Sequence, residues 1–162
     1  MTRIAIVGAS GYAGGEVARL AQAHPDLEVG TMTAARSEGR LVTEVHPHLR
    51  TMGQKRFAGV DLDELGQHDV IVLALTHGQS GPLGEQLAQR FAEHILIDLG
   101  ADRRLEDEHA WSEFYGGEYF SPWIYGMPEL VRSGGARQRE AILEAHRVFL
   151  AGCYAARVTL AL

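Results

Sequence analysis

The run Arg3-Ile4-Ala5-Ile6-Val7 passes directly into Gly8-Ala9-Ser10-Gly11-Tyr12-Ala13-Gly14. The apolar pentapeptide reads as a buried strand. Over Tyr12–Ala23, Val17, Leu20 and Ala21 recur at i, i+3 and i+4, the spacing of one helix face. His24-Pro25-Asp26 ends that helix, because proline cannot continue it. Strand, G-x-x-G-x-x-G turn and helix in this order place a glycine-rich turn at a helix N-terminus. There the backbone can approach an anion closely and unpaired amides can bind it. The spacing is a relative of the dinucleotide fingerprint. A ligand-free strand-to-helix turn would also use glycines, so the loop acquires meaning only from the chain around it.

That chain repeats the alternation. Leu27–Thr33, Asp69–Leu75 (DVIVLAL), Ile95–Leu99 (ILIDL) and Val148–Ala151 read as further strands. Pro82–Glu93 reads as a helix with proline near its first turn, and Tyr154–Leu162 as another. Strands apolar on both faces and separated by helices predict a doubly wound, mostly parallel α/β sheet of Rossmann type. Arg36–Gly59 and Leu105–Arg139 show no clear period, and Arg132–Arg139 (RSGGARQR) reads as an exposed loop.

Length and charge narrow the class further. At 162 residues the chain predicts a single domain, 1–162. No apolar run approaches the ~20 residues that cross a bilayer, and the N-terminal apolar stretch is too short for a signal peptide. A net charge of −6 argues against nucleic acid as a partner. A single cysteine, Cys153, permits no internal disulfide and points to a reducing, cytoplasmic compartment. The closing VTLAL carries no helix-stop signal, so the expectation is a piece of a longer protein.

Four places could carry chemistry. The second strand ends Thr33-Ala34-Ala35-Arg36-Ser37, without the acid that would bond a ribose 2′-hydroxyl. Thr33, Arg36 and Ser37 suit a 2′-phosphate instead, which predicts NADP over NAD; the bland alternative is that Arg36 is a solvated loop residue. Cys153 follows a strand and opens a helix, where the dipole and free amides stabilise a thiolate, and Gly152 leaves room beside the sulfur. That suits attack on an activated acyl group; the competing reading is a buried, inert cysteine. His77-Gly78 lies just past the third strand, near the expected cofactor cleft, with a loop-shaping role as plausible as a chemical one. Arg103-Arg104, beyond the fourth strand, could clamp a phosphate or carboxylate, or form a surface ion-pair network. His46-Pro47-His48 lacks the further ligands and the helical spacing of a metal site, so no metal is expected.

Taken together, GASGYAGGE, HPHLR at His46–Arg50, ALTHGQS at Ala74–Ser80, GADRRL at Gly100–Leu105, YGMPEL at Tyr125–Leu130 and AGCYA at Ala151–Ala155 resemble the N-acetyl-γ-glutamyl-phosphate reductase family, collinearly across nearly the whole chain. The resemblance implies NADPH-dependent reduction of a small-molecule acyl phosphate to a semialdehyde in arginine biosynthesis, with phosphate released. It implies Cys153 as nucleophile and Gly8, Ser10, Gly11, Tyr12, Ala13 and Gly14 as the cofactor loop. The adenosine-side segment falls on Thr33 to Ser37, and the substrate-side residues on Arg104 and Glu129. It also implies a homo-oligomer and a second domain, outside this chain, that carries a catalytic histidine. Departures from the family pattern fall at Thr76, Arg103, Ala151, Ala155 and Ala156. The lysine-pathway paralogue, aspartate-semialdehyde dehydrogenase and a non-catalytic NADP-binding module are the rival readings.

Overall fold

The computed structural model describes residues 1–161. In chain order, β1 (Thr2–Val7) leads through the glycine turn into α1 (Tyr12–Gln22) and β2 (Leu27–Thr33). Short helices α2 (Val42–Val45) and α3 (Leu62–Leu65) flank a single 3-10 turn at Arg50–Met52 and precede β3 (Val70–Leu73). Then come α4 (Ser80–Arg90), β4 (Ile95–Asp98), α5 (Glu108–Phe114) and β5 (Ile124–Tyr125). The chain closes with α6 (Gln138–Leu143), β6 (Arg147–Phe149) and α7 (Cys153–Ala161).

The strands form one sheet in the order β2-β1-β3-β4-β6-β5, with every pairing parallel. This is the doubly wound α/β arrangement that the alternating pattern predicts. β1 shows why its residues are apolar throughout. Ile4 and Ile6 pack with Ala18 and Ala21 of α1 on one face, and Ala5 and Val7 pack with Leu65 and Leu87 on the other. A strand covered on both sides has no face left for polar residues. The chain runs from β1 outward to β2, then crosses back to β3 on the other side of β1. That reversal opens a crevice at the carboxyl ends of β1 and β3, where ligands of such sheets bind.

Several boundaries differ from the sequence reading. α1 buries Gly14, Gly15, Ala18 and Ala21, whereas Leu20 is 60% exposed. Small residues win that face because they let the helix lie close to the sheet. β3 ends at Leu73, and Ala74 N–H still bonds the Val7 carbonyl at 2.8 Å before the chain turns away. β6 begins one residue early, at Arg147, whose guanidinium reaches back to the carbonyls of Phe91 (3.0 Å) and Ala92 (3.1 Å) beyond α4. The stretch without a clear period holds structure after all: Trp111 on α5 is 2% exposed, and β5 is a sixth strand paired with β6. Gln138, expected in an exposed loop, is buried and donates to the Tyr125 carbonyl at 2.9 Å. The predicted helix over Tyr154–Leu162 begins one residue sooner, at Cys153; its last residue, Leu162, lies outside the described residues.

One irregularity bears on the site. The register between β1 and β2 slips between Ile4 and Ile6, so β2 carries an extra residue there. Lys55 Nζ donates to the carbonyls of Val29 and Gly30 at 2.6 Å each, and the Thr31 amide donates to His68 Nε2 at 3.0 Å. The bulge's backbone groups are thus satisfied by side chains, and β2 delivers Thr33 beside the glycine turn.

Candidate active site

The glycine turn is built by close approach. Gly8 has φ +79°, and a Cβ there would lie 2.4 Å from the Ala74 carbonyl oxygen at the end of β3. At Gly14 a Cβ would fall 2.7 Å from both Ala9 Cα and the Gly8 oxygen. Any side chain at either position would push the turn off the strand ends. Gly11 caps α1 with no side-chain bond, leaving the first-turn amides without a capping partner. Ser10 is half-buried, and Tyr12 and Ala13 are exposed. An anion-binding cradle needs free amides and no side chain in the way, and these residues meet that description. A dinucleotide's pyrophosphate therefore fits here.

The neighbouring β2 terminus is tied to this turn by the Ala9 amide, which donates to the Thr33 carbonyl at 2.9 Å. Thr33 itself is 1% exposed, and its hydroxyl is buried without a hydrogen-bond partner. Its side chain does not reach the surface where a 2′-phosphate would sit. Arg36 is exposed and Ser37 half-buried in the following turn.

On the other side of the crevice, Asp102 organises the turn after β3. Its Oδ1 lies 2.9 Å from His77 Nδ1, and its two oxygens accept from the amides of Gly78 (2.9 and 3.0 Å) and Gly81 (2.8 Å). Burial pushes the Asp102 carboxyl up. The amides of Gly78 and Gly81 and the His77 imidazole outweigh it and hold the group below the usual carboxylate range. The His77 ring packs 5.2 Å from Trp111 and 5.5 Å from Tyr115. Four residues before Asp102, Asp98 is fully buried beside Ser80, with one oxygen accepting from the Gly100 amide at 2.7 Å. Burial raises its pKa, and the nearby Asp102 charge adds to the rise.

Arg103 and Arg104 part company. Arg103 turns inward: it bonds Glu85 at 2.6 Å and lies 4.9 Å over the rings of both Phe120 and Trp123. It is a packing residue, which corrects the reading of two arginines as one clamp. Arg104 turns to the crevice, where it donates to the Tyr115 hydroxyl and the Gly100 carbonyl, each at 3.3 Å. A Cβ on Gly152 would lie 3.1 Å from its guanidinium, so Arg104 lies directly against the cysteine turn.

β6 brings in the sulfur. The Leu150 amide bonds the Asp98 carbonyl at 2.8 Å, pinning the chain beside β4, and the Ala156 amide bonds the Gly152 carbonyl to start α7. Cys153 is the first residue of that helix; its thiol is free and exposed, not buried as the competing reading had it. A cavity of about 760 Å³ lies here, lined among others by Ala13, Arg104, Tyr115, Gly152 and Cys153. The structure thus joins one end of the glycine turn, one arginine and the thiol. His77 and Gly78 do not line that cavity and connect to it through Tyr115. Glu129 does not line it either; it forms an exposed ion pair with Arg139 at 3.4 Å. Among the described residues no group of three or more His, Cys, Asp or Glu is arranged to hold a metal ion, and His46 is engaged with backbone instead. Sequence reasoning missed the role of Asp102, whose partners lie more than twenty positions upstream.

A family model, "Semialdehyde dehydrogenase, NAD binding domain", matches residues 3–136. The chain belongs to this family. The matched span contains the glycine turn, the His77 turn and Arg104; Cys153 lies beyond it. Curated relatives of this family member include N-acetyl-gamma-glutamyl-phosphate reductases from Leifsonia xyli (45% identical over 159 residues, 98% of this chain and 45% of the relative) and Mycobacterium leprae (45% over 165 residues, 99% and 45%). The chain thus spans about 45% of the length of the curated relatives it matches. Among solved structures, aspartate semialdehyde dehydrogenase from Francisella tularensis superposes with a TM-score of 0.62 at 15% identity, covering 94% of this chain and 36% of the other. The Candida albicans enzyme, solved with NADP, gives 0.56 at 19%, covering 66% and 32%. Both share the fold of this chain. Among the described residues no helix is long and apolar enough to cross a membrane.

Proposed function

We propose that this chain is the cofactor-binding domain of an NADPH-dependent reductase that converts N-acetyl-γ-glutamyl phosphate to N-acetylglutamate 5-semialdehyde, as in arginine biosynthesis. The observation that carries the proposal is the single cavity shared by Ala13, Arg104, Gly152 and Cys153. A cofactor seated on the glycine turn, a cation and a nucleophile there serve one reacting centre. The names of the relatives, at 45% identity, support this substrate over its rivals.

Each residue then has a task. Gly8, Gly11 and Gly14 hold the pyrophosphate against the amides of Ser10, Tyr12 and Ala13, and Arg36 and Ser37 take the 2′-phosphate. His77 and Gly78, fixed by Asp102, border the crevice on the β3 side. Arg104 draws the acyl phosphate's negative charge toward Cys153. The Cys153 thiolate attacks the acyl carbon; the carbon–phosphate oxygen bond breaks, and phosphate leaves with its electron pair, giving a thioester. Bound NADPH supplies the hydride that reduces the acyl group to the aldehyde level. The carbon–sulfur bond then breaks, returning the thiolate and releasing the semialdehyde. Glu129 is assigned to substrate contacts made in the complete enzyme. There a second domain supplies an acid/base histidine and oligomer contacts, in the cytoplasm.

The test replaces the sulfur. In the complete enzyme, Cys153→Ala lowers NADPH oxidation with N-acetyl-γ-glutamyl phosphate by at least ~10³-fold, about 4 kcal/mol of barrier. NADPH affinity stays within about twofold, because the exposed thiol supports no packing. Activity retained within about tenfold of the parent would refute the assignment.

A further inference from the structure

The HPHLR segment is the one sequence motif left without a task, and the structure places its first histidine inside the cofactor turn. His46 follows α2 and is buried. Its Nε2 lies 2.8 Å from the Ala9 carbonyl oxygen. A carbonyl only accepts, so Nε2 carries the proton and donates. The ring also fills the space beside Gly15, where a Cβ would lie 2.6 Å from Cε1 and 2.9 Å from Nδ1. Phe57, buried, meets it edge-on at 6.2 Å, and His48 meets it edge-on at 5.6 Å. The imidazole is therefore wedged between α1, α2 and the turn, with its one donor spent on Ala9.

The consequence follows from peptide geometry. The Ala9 carbonyl and the Ser10 amide belong to one planar trans unit and point in opposite directions. Holding the carbonyl toward His46 aims the Ser10 N–H away from the core, toward the mouth of the turn. Among the described residues that amide has no hydrogen-bond partner. The preceding amide, that of Ala9, is held at the other side by the Thr33 carbonyl at 2.9 Å. His46 thus holds the Ala9–Ser10 peptide by its carbonyl, and Thr33 holds the peptide before it.

We infer that His46 is a positioning residue for the dinucleotide. By accepting no ligand itself and anchoring the Ala9 carbonyl, it presets the Ser10 amide for the cofactor's pyrophosphate. The empty Cβ position of Gly15 is the complementary half of the same device. This inference rests on the dinucleotide reading of the glycine turn.

The experiment measures NADPH Kd by fluorescence titration, and KM for NADPH and for the acyl phosphate, in the complete enzyme. His46→Phe keeps a ring and removes the donor; Gly15→Ala keeps the donor and displaces the ring; His46→Gln returns an amide donor. Loss of one preset hydrogen bond to an ionised ligand predicts NADPH Kd and KM raised about tenfold in His46→Phe and Gly15→Ala. The acyl-phosphate KM stays within about twofold, and His46→Gln recovers at least part of the affinity. A uniform structural defect would move both KM values together. Folded His46→Phe with unchanged NADPH Kd overturns the inference, and should that variant fail to fold, Gly15→Ala decides in the same way. A parent enzyme that does not bind NADPH overturns the dinucleotide reading itself, and the inference with it.

Discussion

The two ends of the crevice are built to different standards. At the glycine turn, backbone meets backbone: Gly8 sits against Ala74, Gly14 against Ala9, and His46 and Thr33 hold Ala9 from two sides. At the cysteine turn, α7 buries none of its described residues, and Tyr154 is 84% exposed. The cofactor end is over-determined by this chain, whereas the nucleophile end is fixed only at its root, by β6 and by Arg104 lying on Gly152. The difference matches the tasks. A pyrophosphate is recognised by amides that must already point the right way, since each misdirected amide is a lost hydrogen bond. A nucleophile needs access for substrate on one side and hydride on the other, so exposure is part of its function.

The largest effect that would break this contrast comes from crowding the over-determined end. Gly14→Ala places a methyl 2.7 Å from Ala9 Cα and the Gly8 oxygen, and both neighbours are backbone. Overpacking of this kind costs about 3 kcal/mol, and the turn must move off β3. Urea denaturation of the chain is expected to show that loss, and NADPH binding to fall below detection. A variant as stable as the parent would mean the turn is compliant and the contrast false.

Asp102 ties the His77 turn to the segment that carries Arg104. Asp102→Asn removes the charge from an acceptor serving three donors and is expected to cost about 2 kcal/mol at pH 7, as hydrogen bonds to charged groups do. The pH dependence has a definite sign. A carboxyl held below its unfolded value contributes stability above that value and loses it as pH falls through the folded pKa. Thermal melts from pH 7 down to 3 should therefore bring parent and variant together. A gap that widens toward acid would contradict the assignment.

Asp98 is the opposite case on the same segment. Its pKa is raised by burial, so its contribution is present below the unfolded carboxylate range and lost as pH rises through the folded value. Asp98→Asn keeps an oxygen for the Gly100 amide, which bonds Oδ1 at 2.7 Å, and removes a buried charge. The variant is expected to be more stable than the parent at pH 7 and to match it near pH 4. A loss at pH 7 would show that the Asp98 charge is used.

What the sequence revealed follows the same division. The central strands were legible because burial on both faces leaves nothing but apolar residues, as in Val70–Leu73. β5 was not, since two residues between Trp123 and Gly126 carry no period. The face of α1 was misread through Leu20, because helical spacing reports apolar residues and the close approach here is made by Gly14, Gly15 and Ala18. The glycine turn and Cys153 were legible as motifs tied to local backbone. Arg103 and Arg104 were not separable, since two identical side chains differ only in where the turn sends them. The Thr33 hydroxyl faces inward for the same kind of reason: hydrogen bonds set by a bulge and by distant residues choose its side. Contacts between positions far apart in sequence, such as His77 with Asp102 and His46 with Ala9, leave no periodic trace.

The smallest expected effect sharpens the contrast most economically. Val42 on α2 is fully buried in the cluster beneath the glycine turn, and Val158 on α7 is 60% exposed. The same substitution to alanine removes the same atoms from each. At Val42 it forfeits burial and leaves a cavity, at a cost of about 2 kcal/mol. At Val158 it removes no contact with the core and exchanges a β-branched residue for the strongest helix former, so stability changes by less than ~0.5 kcal/mol. Chemical denaturation of the two variants of this chain measures the difference directly. Equal losses would mean that α7 is as firmly packed as the cofactor end. Cys153 would then owe its position to the body of the helix as well as to the strand and arginine at its root.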